Sequence, residues 1–385
     1  MKFLVLGSGM MGSALALDLA RSKNVEKVTL ADADLLRAEQ AAHRIGLPTV
    51  HPVSLDVTMI DNVIDLMKRH DCALGAVSFR YNYVLTKAAL EAGIHFCDLG
   101  GNDEVVRNQM SLDAEARKAG VLIVPNCGLA PGLANVLAAR GVELFDSVDS
   151  VKIRVGGLPQ HPRPPFNYQL VFSVEGLINE YSGMSTVIRD GKVTQVETLT
   201  EIETVQFSEP PGTLEAFHTS GGSSLLPMMF EGKVRELDYK TLRYPGHCEK
   251  FKALLDLGFA SNEPITIGSN LLTAKEFFLE LLKRKLDSGG RDIVVLRVSL
   301  VGRRGGHSQT LTFELIDFYD EINNITSMMR TTSFPTSIIA QMVVGGTLAS
   351  RGVLPPESCV PLDPLIAELA ARRIYIKQMW SELVG

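Results

Sequence analysis

"MKFLVLGSGMMGSALALDLA", residues 1–20, decides the fold and admits two readings. Lys2, the apolar run and the small-residue stretch Ala14 to Ala16 resemble a secretory signal peptide. Gly7, Gly9 and Gly12 also spell G-x-G-x-x-G, the turn that lays a dinucleotide pyrophosphate on a helix N-terminus. Context favours the second reading, and Asp18 fits an export segment poorly. "KFLVL" supplies a short buried strand before Gly7, "GSALALDLARS" a helix after it, and "KVTLA" a second strand ending at Asp32, 20 residues past Gly12 (32 − 12). Strand, glycine turn, helix, strand and acid follow the order of a dinucleotide-binding unit.

Within that unit Gly7, Ser8, Gly9, Met10, Met11 and Gly12 are expected to cradle the pyrophosphate. Asp32 is expected to accept the ribose hydroxyls. A 2′-phosphate would stand beside Asp32 as a second anion, costing up to about 4 kcal/mol at an effective dielectric of 20, so NAD is expected rather than NADP. Asp34 adds to the repulsion, and Arg37 opposes it. Asp56 and Val57, after "HPVSL", are placed near the adenine, with a cap for the helix near Thr58 as the alternative for Asp56. Ser78 follows the strand "CALGAV" at the carboxyl edge where such folds bind ligands.

Further along, "HFCDL" and "VLIVPN" continue the strands, and helix-period segments such as "DLLRAEQAAHRIG" and "YVLTKAALEAG" lie between them. This predicts a Rossmann-type, doubly wound parallel sheet over residues 1–127. "NCGLAPGLANVLAARGVELF" reads as a helix with Pro131 near its start. From about Val148 the pattern changes to strands and hairpins: "SVKIRVGG", "STVIRDGKVTQVE" turning at Asp190–Gly191, and "DIVVLRVSLVG" joined to "HSQTLTFELIDFYD" through Gly305–Gly306. Residues 128–330 are therefore expected to form a second α+β domain on a mostly antiparallel sheet, serving substrate binding and oligomerisation. "HPRPPF" is a stiff loop at its entry. Helical patterning returns in 331–385, a stretch expected to rejoin the first domain.

The totals exclude several classes. A net charge of −6 over 385 residues gives no electrostatic footprint for nucleic acid or anionic membrane. No later apolar run is long enough for a membrane helix. Five scattered cysteines without a C-x-x-C pair point to reduced thiols and a cytoplasmic setting. His247 and Cys248 are adjacent and cannot both reach one metal from a regular element, so no metal is expected. Asp98 ends "HFCDL" ahead of Gly100–Gly101. It either faces the nicotinamide or caps the following helix.

The combination "GSGMMG…LADAD", "DLGG", "GLAPGLANVLA", "FSVEGLINEY", "EAFHTSGG" and "KTLRYPGH" resembles the saccharopine dehydrogenase-like family, from Phe3 to about Pro361. That family includes saccharopine reductases, carboxynorspermidine dehydrogenases and lysine 6-dehydrogenases. Its compact second domain, "EAFHTSGGSSLLP" and "LDYKTLRYPGHCEKFKALLDLG" are most similar to the last group. The resemblance implies oxidative deamination of the ε-amine of L-lysine to a semialdehyde that cyclises. The alternatives are a reductase of secondary amines and a nicotinamide-binding module without turnover. It also implies a homodimer or homotetramer.

That reaction needs a base for the ε-ammonium and an anchor for the distant α-carboxylate. Arg243 is the expected clamp, its planar fork matching both oxygens, or else it makes a surface ion pair. His218 is the expected general base, or else structural. Thr219 and Ser220 are placed on the substrate or on the attacking water. Glu175 is placed on the ammonium, with Glu180 a weaker candidate of the same kind, and Tyr168 and Tyr244 wall the pocket. Cys127 is read as packing.

Overall fold

The computed structural model describes residues 1–286 and 289–382, which divide into two compact units. The first comprises Met1–Leu144 and Met329–Ile376. Its seven strands are all parallel, in the order Gly352–Val353, Leu122–Val124, His95–Asp98, Cys72–Gly75, Lys2–Leu6, Lys27–Asp32, Val50–Ser54. Phe3 to Leu6 are fully buried, as a central strand covered on both faces must be. Residues 1–20 are thus the middle strand and the start of the helix Met10–Arg21. Strand order reverses at Lys2–Leu6, the point where open parallel sheets receive their ligands.

Met329–Ile376 returns to this unit through a buried ionic knot. Asp18 accepts from Arg372 Nε at 2.7 Å and from Ser337 Oγ at 2.6 Å. The unit also runs past residue 127, because the helix Leu133–Val142 buries Leu133, Val136 and Leu137 within it. Pro131 lies ahead of that helix. Its cap is Gly132 at φ +135°, where a Cβ would stand 2.1 Å from the Gly128 carbonyl oxygen.

The second unit holds Phe145–Met328 and the strand Lys377–Glu382. Its nine-stranded sheet is antiparallel apart from the pairing of Ser147–Pro159 with Val234–Arg243. The turns at Asp190–Gly191 and Gly305–Gly306 form as expected, all four residues having positive φ. "KQMWSE" is a strand, where helix was expected. Paired to His307–Phe318, it places Trp380 against Phe145 at 5.2 Å and under Arg304. Residues 383–385 of the predicted helical stretch lie outside the described residues.

In this sheet the register sorts side chains by face. His218 pairs with Lys240, Phe217 with Thr241 and Glu215 with Arg243. Because successive residues of a strand point to opposite faces, Leu214, Ala216 and His218 share one face with Asp238, Lys240 and Leu242. Glu215 and Phe217 share the other with Tyr239, Thr241 and Arg243. Each face has its own apolar cluster, Leu214, Ala216 and Leu242 in one, Phe217, Tyr181 and Phe251 in the other.

Candidate functional site

The glycine turn of the first unit is shaped by what a side chain would strike. A Cβ on Gly7, at φ +100°, would meet the Ala76 oxygen at 2.6 Å, and one on Gly12 the Gly7 oxygen at 1.8 Å. Gly9 is different: the nearest atom to its Cβ position is Arg37 Nη2 at 3.9 Å, so the protein itself leaves that position open. It is also the cap of Met10–Arg21, with no side-chain cap bond and no acid in the first turn. An open glycine on an uncapped helix N-terminus fits a pyrophosphate.

Asp32 closes the same loop. Its carboxylate accepts from Ser8 N at 2.8 Å, Ser8 Oγ at 2.7 Å and Asp34 N at 3.1 Å. Burial alone would raise its pKa, but these bonds and nearby Arg37 hold it below the usual carboxylate range. Asp32 therefore stays ionised where a ribose would lie. Asp56 is exposed and binds Thr58 through N and Oγ1 in a local turn, outside the helix Ile60–Met67. Val57 belongs to the same turn, and Ser78 sits just before the short helical turn Phe79–Tyr81.

Asp98 is neither a helix cap nor an open carboxylate. It is fully buried in the first unit and accepts from Gly100 N, Asn126 N and Gln109 Nε2, while Asn102 caps the following helix. Burial raises its pKa to about 6. Its geometry is that of a loop anchor rather than a catalyst. Cys127 packs, its thiol turned to the Val124 carbonyl.

In the second unit the expected site separates in two. Arg243 is 2% exposed. Its Nε donates to the Tyr181 hydroxyl at 2.9 Å, its Nη1 to the Leu242 carbonyl at 2.9 Å, and its guanidinium stacks 4.7 Å over Tyr168. No carboxylate lies within ion-pair distance of it among the described residues. Glu180, at the end of the helix Val174–Glu180, shares this environment. Burial raises its pKa to about 7 against the opposing pull of Arg243. Burial likewise pushes the Tyr168 phenol up to about 12, so it remains a neutral wall.

His218 faces the other way. Its Nε2 donates to Glu201 at 3.0 Å, and its Nδ1 is buried without a partner. Burial holds its pKa down despite Glu201. A neutral histidine with its basic nitrogen sealed, on the face opposite Arg243, cannot serve the same substrate. Around it the charges of Arg154, Lys240, Glu203 and Asp238 are paired: Arg154 binds Glu203 and Asp238 while its Nη2 is buried without a partner, and Lys240 Nζ donates to the Glu201 carbonyl at 2.6 Å. An open cavity of about 390 Å³ lies on this charged face, lined in part by Lys152, Arg189 and Glu236.

The remaining candidates are corrected in the same way. Tyr244 points to the His218 face and donates to the Pro159 carbonyl. Glu175 is exposed in the first turn of its helix. The hydroxyl of Thr219 is paired with Thr241 at 2.7 Å, and that of Ser220 donates to the Asn179 carbonyl at 2.9 Å. The Ser220 N–H also binds the Glu180 carbonyl, so this loop holds Glu180 in place rather than touching substrate. Gly222 lets the loop lie on Tyr239, since a Cβ there would fall 2.3 Å from the ring. Tyr181 and His247 are additional residues of the Arg243 group. Their only sequence sign is the "NEY" and "YPGH" flanks of already chosen motifs.

Among the described residues no group of three His, Cys, Asp or Glu could hold a metal, and no helix is long and apolar enough to cross a membrane.

Comparison with known proteins covers both units. Residues 3–124 match the saccharopine dehydrogenase NADP binding domain, and 128–374 the saccharopine dehydrogenase C-terminal domain. The chain is 23% identical to saccharopine dehydrogenase [NADP(+), L-glutamate-forming] of Schizosaccharomyces pombe, covering 97% of this chain and 98% of that one. It is 22% identical to the mitochondrial alpha-aminoadipic semialdehyde synthase of Mus musculus, covering 97% of this chain and 47% of that one. The apo saccharopine dehydrogenase (L-Glu forming) of Saccharomyces cerevisiae has the same fold, with TM-score 0.80, 21% identity and 99% of each chain covered. With a family domain covering most of its length and a dinucleotide cradle at its start, the chain belongs to the saccharopine dehydrogenase family, oxidoreductases that act on amine and amino-acid substrates with a pyridine nucleotide.

Proposed function

We propose that the protein oxidises the ε-amine of L-lysine with NAD and water, giving ammonia and 2-aminoadipate 6-semialdehyde, which cyclises. The observation that carries this reading is Arg243, a buried guanidinium in ion-pair contact with no carboxylate among the described residues, on which Glu180 acts through charge without touching it. Burying a charge is costly unless a counter-charge meets it, so an anionic ligand completes the site. The planar fork suits the two oxygens of an α-carboxylate.

With the carboxylate held there, Tyr168 and Tyr181 wall the aliphatic chain against water. Glu180, poised near neutral pH, takes the proton from the ε-ammonium and so frees its lone pair. The same group returns the proton to the departing amine. NAD, when bound over Gly9 and Asp32, supplies the hydride acceptor. The ionised Asp32 supports NAD over NADP, although the matched family domain and the fungal relatives carry NADP in their names.

The relatives' names favour a second reading, a secondary amine such as saccharopine as substrate. One experiment separates the two: purified protein with NAD or NADP and L-lysine, saccharopine or carboxynorspermidine, followed by nicotinamide absorbance. Turnover with lysine and a lower KM for NAD are expected. Turnover with saccharopine alone, or a lower KM for NADP, replaces the corresponding half of the proposal.

A further inference from the structure

Arg243 is held by a chain of hydrogen bonds whose directions can all be assigned. A carbonyl oxygen only accepts, so the 3.0 Å contact of His247 Nδ1 with the Phe166 oxygen makes Nδ1 the donor. Nε2 of a neutral ring then has a lone pair, and it lies 3.0 Å from the Tyr181 hydroxyl. The phenol donates its only proton to Nε2, so its oxygen is left to accept from Arg243 Nε at 2.9 Å. Reverse any one bond and two donors or two acceptors face each other.

Packing fixes the imidazole in that orientation. Phe251 stacks on it at 4.6 Å, Phe217 at 6.2 Å, and Tyr168 and Tyr181 meet it edge-on. Its backbone is fixed as well. Gly246, at φ +83°, caps the helix His247–Asp256 without a side chain, and the Glu215 carboxylate substitutes, accepting from Gly246 N at 2.8 Å and Cys248 N at 2.6 Å. Glu215 stands directly across the strand pair from Arg243, the place from which a carboxylate would neutralise the guanidinium, yet its oxygens are spent on the helix. One side chain thus anchors the relay and makes no ion pair with the arginine.

We infer that His247 and Tyr181 are positioning residues that set the plane of the Arg243 guanidinium for a substrate carboxylate, and so determine the preference for amino acids over simple amines. The inference rests on the proposed role of Arg243. Loss of a buried hydrogen bond to a charged group corresponds to roughly a ten- to hundredfold change, and that is the effect expected on carboxylate recognition.

The test compares kcat/KM for L-lysine with that for cadaverine, which is lysine without its carboxylate. In Tyr181→Phe and His247→Leu the lysine to cadaverine ratio is expected to fall at least about tenfold, through lysine KM rather than kcat. His247→Asn, which retains an acceptor for the phenol, is expected to recover part of it. Equal losses on both substrates, or no change in the ratio, overturn the relay. If Arg243→Lys also leaves the ratio unchanged, the carboxylate clamp itself is wrong. If Arg243→Lys lowers it while the relay variants do not, only the relay fails. Histidine NMR of the wild-type protein gives a reading independent of substrate and of variant folding. The relay requires His247 neutral and protonated on Nδ1 from pH 5 to 9, as burial beside Arg243 dictates, and a ring titrating near 6.5 refutes it.

Discussion

The two faces of the strand Val234–Arg243 bury cations in opposite ways. On one, Lys240 and neighbouring Arg154 are ringed by Glu203 and Asp238, so each charge is answered by the protein. On the other, the acceptors of Arg243 among the described residues are a phenol and its own strand's carbonyl, and Glu180 acts on it through charge without an ion-pair contact. Charges paired within the protein are architecture, whereas a buried guanidinium outside any ion pair is a place for something to bind. The strand presents both, three residues apart.

The sharpest way to break this contrast is at Glu180. Glu180→Gln should lower kcat for lysine by roughly 10²- to 10⁴-fold, the range for loss of a general base. In the wild type kcat/KM should rise with pH through about 7, because only the ionised carboxylate takes a proton, and the variant should lose that limb. Stopped-assay rates from pH 5 to 9 give both readings. Next in size, Arg243→Lys keeps the charge without the fork and should raise lysine KM roughly ten- to a hundredfold.

A smaller effect is expected on stability, at Glu357 in the first unit. Its carboxylate is 2% exposed with both oxygens unpartnered, and burial raises its pKa to about 7 from 4.5. A carboxyl whose folded pKa is raised keeps its proton on folding while the unfolded chain loses it. Its contribution is therefore lost as pH rises from about 4.5 to 7, by an amount on the order of 3 kcal/mol at most. Glu357→Gln should melt increasingly above the wild type as pH goes from 5 to 8, and a constant difference would contradict the assignment. Smallest of all, His218→Asn, on the ion-paired face, should leave lysine kcat/KM unchanged. A loss comparable to that of Arg243→Lys would mean that the two faces are not functionally distinct.

The first sheet was legible because each glycine of residues 7–12 answers a local steric demand and the acid follows at the end of the next strand. The second unit was legible as strands and turns but not as a site. Which face a residue occupies depends on register between strands distant in sequence, and a step of one residue moves it across the sheet. "EAFHTSGG" and "KTLRYPGH" give no hint that His218 aligns with Lys240 and not with Arg243. Glu180 was within reach: Leu177, Ile178 and Tyr181 mark the buried stripe of their helix, and Glu180, three residues after Leu177, borders it, while Glu175 lies round the far side. The relay could not be read, because it depends on the donor and acceptor directions of groups brought together from three separate segments.

The bonds from Ser8 to Asp32 carry a consequence for redesign. The acid expected to select the cofactor also clasps the glycine turn, so selectivity and loop shape cannot be edited independently. Replacing Asp32 alone to admit a 2′-phosphate would unfasten Ser8 and slacken the turn that every dinucleotide needs. A switch of coenzyme in this protein calls for a paired exchange of both positions, one supplying the new specificity and the other a new fastening.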